Sequence, residues 1–317
     1  MKYKINLPEI ISTDTAHLIF NSLHCAYVTS FSRNIDIVVF DFSKCKSISP
    51  AGLIYIRMWR DRLVEHGKQT FYRKTTAPET DSFLKTMHLI PSTSLTEESA
   101  INNKFFYHIH PCKDIYECQS AHKDIISNVV KRENVLEETY CAIDYMINEL
   151  WDNAGVHGYE CYDSDTYPKP VYICALENDN YYEVCIGDRG QGIYNSLQRN
   201  NKELQGQNKK DSVRAAIQNG ISGHPNGSPG FGLYSAAEFI RGGNGALYIW
   251  SSGVFLSISS SGDRISNSQI NDGTLVSFVI NKNALLPFTE TMNKHLVRGH
   301  SVEEYIADVI GGLFDEQ

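Results

Sequence analysis

The sequence predicts an α/β protein of the α+β kind, built from two domains. Its 317 residues exceed the usual size of a single domain, and hydrophobic residues make up 42% of them, which suffices for buried cores. In residues 1–90, short apolar runs typical of strands alternate with segments whose apolar residues recur at helical spacing. Farther along, a long helical pattern is followed by five strand-like segments.

The elements of the first domain follow from short patterns. The run IDIVVFDF (35–42) is apolar and rich in β-branched residues, as expected for a strand buried on both faces. Apolar residues between 53 and 64 lie at helical spacing, and Gly67 stands where a helix C-terminus is expected. QTFYR (69–73) predicts another strand, and ETDSFLKTMHLI (79–90) predicts a short helix.

Residues 91–118 lose this periodicity and are predicted to be a connector, with Phe105–Ile109 as its one candidate strand. The second domain is predicted to span 119–283, starting with a helical pattern from about 121 to 158. Its strands have the sequences VYICALE, YYEVCIGD, GALYIWSSG, VFLSISSS and TLVSFVI.

Two further segments complete the chain. Residues 194–229 are polar and rich in Gly, Asn, Gln and Lys, and a loop of that length is typical of a lid or a binding loop. The tail, 284–317, contains the amphipathic segment SVEEYIADVIGGLF. Such a helix more often packs into a core, and a homodimer through it stays an alternative.

Charge and cysteine content restrict the partners and the compartment. Lys and Arg number 29 against 37 Asp and Glu, and the net charge of -8 gives no general attraction for nucleic acid. No run approaches the roughly 18 apolar residues of a membrane helix, and the N-terminus does not resemble a signal peptide. The 8 cysteines are scattered, which favours free thiols. We expect a cytoplasmic protein that binds neither nucleic acid nor membranes.

The segment NELWDNAGVHGY (148–159) is the first with chemical character. If it is helical, Glu149, Asn153 and His157 lie four residues apart along one stripe. A carboxylate on an otherwise apolar helix is costly to bury without a partner, which points to a ligand. A solvated helix end is the alternative interpretation.

Two glycine-rich segments follow. CIGDRGQGI (185–193) is a strand ending in Asp188, after which glycines would let the backbone approach a ligand closely. GSPGFGLYSAAEFI (227–240) is a loop that opens a helix, and the N–H groups of a helix N-terminus favour phosphate. Each pattern alone also occurs in ordinary turns. The chain contains no G-x-x-x-x-G-K-[ST] loop.

The order of these features, followed by Asp272-Gly273-Thr274 at the start of a strand, resembles the GHKL ATP-binding superfamily over roughly residues 120–282. The helix motif is most similar to E-x-x-x-N-A-x-x-H-G of the anti-sigma-factor serine kinases. The resemblance implies a Bergerat-type α/β sandwich with helices on one face of a mixed sheet. It also implies ATP and Mg²⁺ as cofactors.

The resemblance also implies roles for single residues. Asn153 would coordinate Mg²⁺, Glu149 would be the general base, and His157 would lie on the phosphate side or close the lid. Asp188 would recognise the adenine amine. The other ATP-binding positions would be Gly190, Gly192 and Thr274 around the base, and Gly230, Phe231, Gly232 and Leu233 around the phosphates. Four basic residues of the lid could neutralise phosphate or form a solvated cluster: Lys202, Lys209, Lys210 and Arg214.

The first domain resembles a STAS domain, the fold of anti-sigma-factor antagonists, over roughly residues 5–90. That family carries D-S-[ST]-G-L before the central helix, with a serine that a partner kinase phosphorylates. This chain has Ser49-Pro50-Ala51-Gly52-Leu53, so the phosphoacceptor positions cannot accept a phosphoryl group. Ser47 and Ser49 are interpreted as turn serines. The departure favours a docking or sensing role.

Together these patterns predict an ATP- and Mg²⁺-binding regulatory protein, acting through an unknown protein partner as a protein serine/threonine kinase or a slow ATPase. The alternative is a non-catalytic ATP-binding switch or scaffold in a bacterial stress or defence pathway. Two weaker hypotheses are a histidine kinase using His122 and a zinc site, whose spacing fits no familiar pattern. The zinc ligands would be His108, His110, Cys112 and Cys118.

Overall fold

The computed structural model describes residues 1–90, 100–101, 104–159, 166–223, 230–270 and 273–295. These residues form an α+β fold, which confirms the predicted fold class. A large antiparallel sheet divides the molecule, and a separate hydrophobic core packs on each of its faces.

The first 90 residues form a small three-stranded parallel sheet in the order β1-β3-β5, with helices around it. Two short strands, β2 and β4, pair separately. Ser49 caps the central helix, α2, and Pro50 occupies its first turn, where a missing N–H costs nothing. The elements are β1 (Lys2–Asn6), β2 (Ile10–Ile11), α1 (Ala16–Ser30), β3 (Ile37–Asp41), β4 (Ser47–Ile48), α2 (Pro50–Glu65), β5 (Gln69–Arg73) and α3 (Pro78–Thr86).

The large sheet has the strand order β12-β11-β10-β13-β9-β8-β7-β6. Its described pairs are all antiparallel, so the sheet is not mixed as the resemblance implied. Its strands are β6 (Ala100–Ile101), β7 (Lys104–Asp114), β8 (Thr166–Glu177), β9 (Tyr181–Asp188), β10 (Gly245–Ser251), β11 (Val254–Ser259), β12 (Arg264–Asn267) and β13 (Thr274–Asn281). The helices are α4 (Ile115–Ile125), α5 (Glu137–Asp152), α6 (Gly192–Asn200), α7 (Lys209–Ala215), α8 (Gly232–Gly242) and α9 (Phe288–His295).

Strand β9 separates the two cores because its side chains alternate between the faces of the sheet. Val184 and Ile186 belong to the core shared with α4, α5, α8 and α9, whereas Cys185 belongs to the core shared with the N-terminal region. Helix α2 lies between the two sheets and contacts both β5 and β9. It comes so close that a Cβ at Gly187 would lie 2.9 Å from Ile54 Cγ2. The N-terminal region therefore packs on one face of the large sheet.

Three sequence predictions need correction. Residues 104–118 are not a connector, since they form β7 and the start of α4. The pattern expected to be one helix from 121 to 158 is divided, because α4 continues into a π-helix at 126–130 and a short 3₁₀ helix at 132–134 follows before α5 begins. The polar segment from 194 is not a bare loop, because α6 and α7 occupy its first part.

The amphipathic segment 301–314 and residues 91–99 lie outside the described residues, as does the tip of the predicted lid, 224–229. Within the described ranges, no helix has the length and apolar character needed to cross a membrane.

Candidate functional site

The predicted motifs converge on a cleft between the end of α5, the ends of β9 and β13, and the segments around α6 and α8. The cleft encloses about 770 Å³ when the space open to solvent at its mouth is included. It is lined by Leu150, Asn153, Ala154, His157, Gly158, Ile186, Asp188, Gly192, Ile193, Ser196, Leu197, Ala216, Ile221, Ser222, Gly223, Gly230, Leu233, Thr274 and Val276.

Asp188 is the buried acid of this cleft. It is the last residue of β9 and only 2% exposed. Its Oδ1 accepts a hydrogen bond from the backbone N–H of Gly190 at 2.7 Å, and the backbone N–H of Thr274 also donates to the carboxylate. Burial raises the pKa of the carboxyl to about 7, although these two hydrogen bonds oppose the shift. Asp188 is thus an acceptor held in place at the floor of the cleft.

The turn after Asp188 packs directly on the end of the α5 segment. A Cβ at Gly190 would lie 2.0 Å from the carbonyl oxygen of Gly158, so this position requires glycine. Gln191 fixes the same junction, since its backbone N–H donates to Gly158 O at 2.9 Å and its side-chain amide donates to His157 O at 2.9 Å. The two motifs therefore form one rigid wall.

Ser251, the last residue of β10, and Ser252, in the turn that follows, support the start of α6 beside this wall. Ser251 Oγ accepts from the backbone N–H of Ile193 at 2.9 Å, and Ser252 Oγ accepts from that of Tyr194 at 3.1 Å. Ser251 Oγ also lies 3.0 Å from Thr274 Oγ1, within hydrogen-bond distance. Sequence reasoning missed both serines, which appear in the sequence only as the end of the strand-like segment GALYIWSSG.

Glu149 lies one helical turn before Asn153 but does not line the cleft. Its carboxylate faces the first residue of α8, and a Cβ at Gly232 would lie 2.2 Å from Oε2. Burial and the negative charge of Asp152 raise the pKa of Glu149 to about 7, while a hydrogen bond from Tyr145 opposes the shift. Near neutral pH this carboxyl can therefore hold or release a proton.

The structure brings seven of the eleven predicted residues to the lining of one cleft: Asn153, His157, Asp188, Gly192, Gly230, Leu233 and Thr274. The other four, Glu149, Gly190, Phe231 and Gly232, do not line it. None of the four basic residues proposed for phosphate, Lys202, Lys209, Lys210 and Arg214, lines it. Sequence reasoning missed the apolar floor formed by Ile186 and Val276, which strand alternation could have identified.

The described residues on either side of 224–229, within the predicted lid, lie together at the cleft. A Cβ at Gly230 would lie 1.9 Å from the carbonyl oxygen of Ile221, so Gly230 packs directly against Ile221. Asn200 Nδ2 donates to Gly223 O at 2.7 Å and ties this point to α6. The described parts of the lid are thus anchored beside the glycines at the start of α8.

Two weaker candidates from the sequence, His122 and the proposed zinc ligands, lie elsewhere in the structure. His122 Nε2 lies 2.9 Å from Asp144 Oδ1, within the helical layer. Within the described ranges, no group of three or more His, Cys, Asp or Glu side chains has a metal-binding arrangement. The rings of His108 and His110 are 6.0 Å apart, and Cys112 and Cys118 are buried. The cysteines among the described residues are free thiols.

The chain matches no protein-family model, and the comparison with curated proteins likewise found no match.

Proposed function

We propose that the cleft binds ATP with Mg²⁺ in the manner of the GHKL superfamily. On this proposal the protein is a kinase of a protein hydroxyl group or a slow ATPase, and it acts on a separate partner. The N-terminal region would be a STAS-like cover of the nucleotide-binding sheet. The residues that surround Asp188 give the main support for this proposal.

Asp188 suits recognition of an adenine base. A carboxylate this deeply buried is costly unless donors surround it, and only backbone N–H groups from Gly190 and Thr274 donate to it among the described residues. An exocyclic amine would supply a further donor. The apolar side chains of Ile186 and Val276 on the same floor suit the faces of a planar base.

The phosphate side is supported by Asn153 and the start of α8. Asn153 lines the cleft, and its amide oxygen is a ligand type that Mg²⁺ accepts alongside phosphate oxygens and water. The dipole and the backbone N–H groups at the start of this 11-residue helix favour negative charge. When bound, Mg²⁺ would neutralise phosphate charge. The amide oxygen of Asn153 and the backbone N–H groups at the start of α8 are thus suited to an ATP–Mg²⁺ complex.

Glu149 is the residue we assign to proton transfer. It lies between α5 and the start of α8, and its raised pKa lets it accept a proton from water or from a hydroxyl near neutral pH. Because it does not line the cleft in this conformation, a small movement of the segment at Gly232 would be needed to expose it.

The substrate hydroxyl would come from another molecule. Ser49 caps α2, and Ser47 lies in β4; both line a different cavity, on the face of the sheet that the N-terminal region covers. They are thus separated from the cleft by the sheet itself. This favours transfer to a partner or to water over phosphorylation of the chain's own N-terminal region.

Isothermal titration calorimetry tests the binding step. We expect Mg²⁺ to strengthen ATP binding to the wild type, and we expect Asn153→Ala to remove that gain while leaving binding in EDTA unchanged. Asn195→Ala is the matched control, since Asn195 is an exposed asparagine of α6 that does not line the cleft. Equal Mg²⁺ dependence in both variants would exclude Asn153 as the metal ligand.

Incubation with ATP radiolabelled at the γ-phosphate then distinguishes a protein kinase from an ATPase. Label on protein that is lost in Glu149→Gln supports the kinase, and free phosphate without labelled protein supports the ATPase. Glu203→Gln, an exposed carboxylate outside the cleft, controls for loss of charge.

A nucleotide-controlled switch is the second candidate. It is favoured by the position of Glu149 outside the lining of the cleft and by an ion pair that links the turn after Asp188 to α2. Tight ATP binding without labelled protein or free phosphate would support this function.

A further inference from the structure

A second cavity lies on the opposite face of the large sheet from the nucleotide cleft. It has a volume of about 1380 Å³ including the part open to solvent. Its walls come from the loop after β2, the start of α2, helix α3 and the strands of the large sheet. The cavity therefore exists only because the N-terminal region covers the sheet.

A buried carboxylate without a cationic partner marks this cavity. Glu183 lines it and is 2% exposed. Its partners are the hydroxyl of Thr13, the hydroxyl of Ser277 at 3.3 Å and the backbone N–H of Ala51. Among the described residues, no Lys, Arg or His nitrogen lies within 4.0 Å of it. A buried carboxylate is normally paired, so this one has capacity for a cation.

Further acidic groups reinforce the negative field. Asp14 and Glu79 are exposed side chains on the lining. The charges of Asp14 and Glu183 both contribute to a raised pKa of Tyr181 and of Tyr248, after the larger effect of burial. Among the described residues, Lys46 is the one basic side chain of the lining, and it forms a salt bridge with Glu9.

Aromatic rings complete the walls. Phe83, Phe106, Tyr181 and Tyr248 line the cavity from three strands and α3. Aromatic faces attract cations within about 6 Å, and the combination of rings with carboxylates is the chemistry that recognises ammonium groups. Hydroxyls such as that of Ser49 offer additional polar contacts.

We propose that this cavity, bounded by Glu183, Asp14 and the rings of Tyr181 and Tyr248, binds a small organic cation with an ammonium or guanidinium group. This site goes beyond the proposed nucleotide function and does not depend on it, because the two cavities share only the sheet between them. The ligand would contact the N-terminal region and the sheet together.

Calorimetry and saturation-transfer NMR on the full chain test the proposal. The probes are tyramine, putrescine and agmatine, and the uncharged analogues 4-ethylphenol and 1,4-butanediol are the matched controls. We expect at least one charged probe to bind saturably with a Kd below 1 mM, at least tenfold more tightly than its uncharged analogue, on the order of 1.4 kcal/mol.

Two substitutions locate the binding. Glu183→Gln keeps an oxygen acceptor for Thr13 and Ala51. We expect it to weaken binding of the charged probe at least tenfold, and we expect the same of Asp14→Asn. Glu290→Gln on α9, an exposed carboxylate remote from this lining, should leave the affinity unchanged. Failure of all three cations to bind below 10 mM, or equal binding by wild type and both cavity variants, would overturn the proposal.

Discussion

Arg189 and Glu65 form a two-pronged ion pair between the turn that follows Asp188 and the end of α2. Nη1 of Arg189 lies 2.9 Å from Oε2 of Glu65, and Nη2 lies 2.6 Å from Oε1. The Arg189 side chain is only 5% exposed, whereas that of Glu65 is 46% exposed. The backbone N–H of Arg189 also donates to the hydroxyl of Tyr159 at 2.8 Å. One residue thus connects the floor of the cleft to the N-terminal region.

Glu65→Ala leaves the buried guanidinium of Arg189 without its carboxylate. We expect the free energy of unfolding to fall by about 2 kcal/mol and ATP affinity to fall by about 1 kcal/mol, because the turn beside Asp188 loses its tie to α2. Urea denaturation and calorimetry measure the two effects.

The matched control is Glu137→Ala, which breaks an exposed pair of similar geometry. Arg132 Nε and Nη2 donate to Glu137 at 3.0 and 2.6 Å, but both side chains are at least 40% exposed. An exposed pair contributes about 0.5 kcal/mol. Equal stability losses in the two variants would contradict the structural importance given to Arg189.

Gly190→Ala tests the contact between the two motifs. A Cβ there would lie 2.0 Å from Gly158 O, so we expect a loss of about 3 kcal/mol in unfolding free energy and loss of nucleotide binding. In Gly206→Ala the new Cβ meets no atom within 4 Å, and only the positive φ of 83° is unfavourable, at about 1 kcal/mol. Equal stability of the two variants would show that Gly190 does not pack closely against Gly158.

Stability should fall as the pH rises from 5 to 8. Burial raises the pKa of Glu183 and of Asp188 to about 7. The stability that such a carboxyl contributes is complete below its unfolded pKa near 4 and is lost as the pH rises through the folded value. Each group changes the free energy of unfolding by at most about 1.4 kcal/mol per pH unit.

Urea unfolding between pH 5 and 8.5 measures this slope. Glu183→Gln and Asp188→Asn should each make it less steep. Asp41 does not interfere, because its pKa is lowered to about 2 and its contribution is lost only in stronger acid. If both variants keep the wild-type dependence of unfolding free energy on pH, the pKa values of these two carboxyls are not raised.

Turnover, if the protein is an enzyme, should increase with pH around 7. Glu149 must be ionised to accept a proton, and its pKa is raised to about 7 by burial and by Asp152. Asp152→Asn should move the midpoint of the single-turnover rate to lower pH, and Glu149→Gln should abolish the rate while ATP still binds. A midpoint unaffected by Asp152→Asn would exclude Glu149 as the titrating base.

The large strands could be predicted from sequence because each is a continuous or alternating apolar run, as in VYICALE and YYEVCIGD. Strand β7 was predicted only over Phe105–Ile109, because its pairing with β8 shifts register between Tyr107 and His110 and again between Cys112 and Asp114. Those irregularities, with Pro111 between them, remove the alternation that identifies a strand. Helices α6 and α7 were missed because their exposed faces are polar and α7 has only 7 residues.

The cleft could be predicted in outline because its motifs are local in sequence, as at Asn153 and Asp188. The covering of the sheet by α2 could not, since nothing in a single sequence pairs Ile54 with Gly187. The sequence also could not predict the ion pair of Arg189 with Glu65 or the second cavity at Glu183, because both depend on packing between segments distant in the chain.

On the proposed function, Asp188 recognises an adenine amine in this cleft. The most direct measurement compares the affinities of ATP and of purine riboside triphosphate, which lacks the amine, for wild type and Asp188→Asn. We expect the wild type to prefer ATP by at least tenfold, about 1.4 kcal/mol, and Asp188→Asn to lose most of this preference. Equal affinity of the wild type for both nucleotides, or an unchanged preference in Asp188→Asn, would contradict the account.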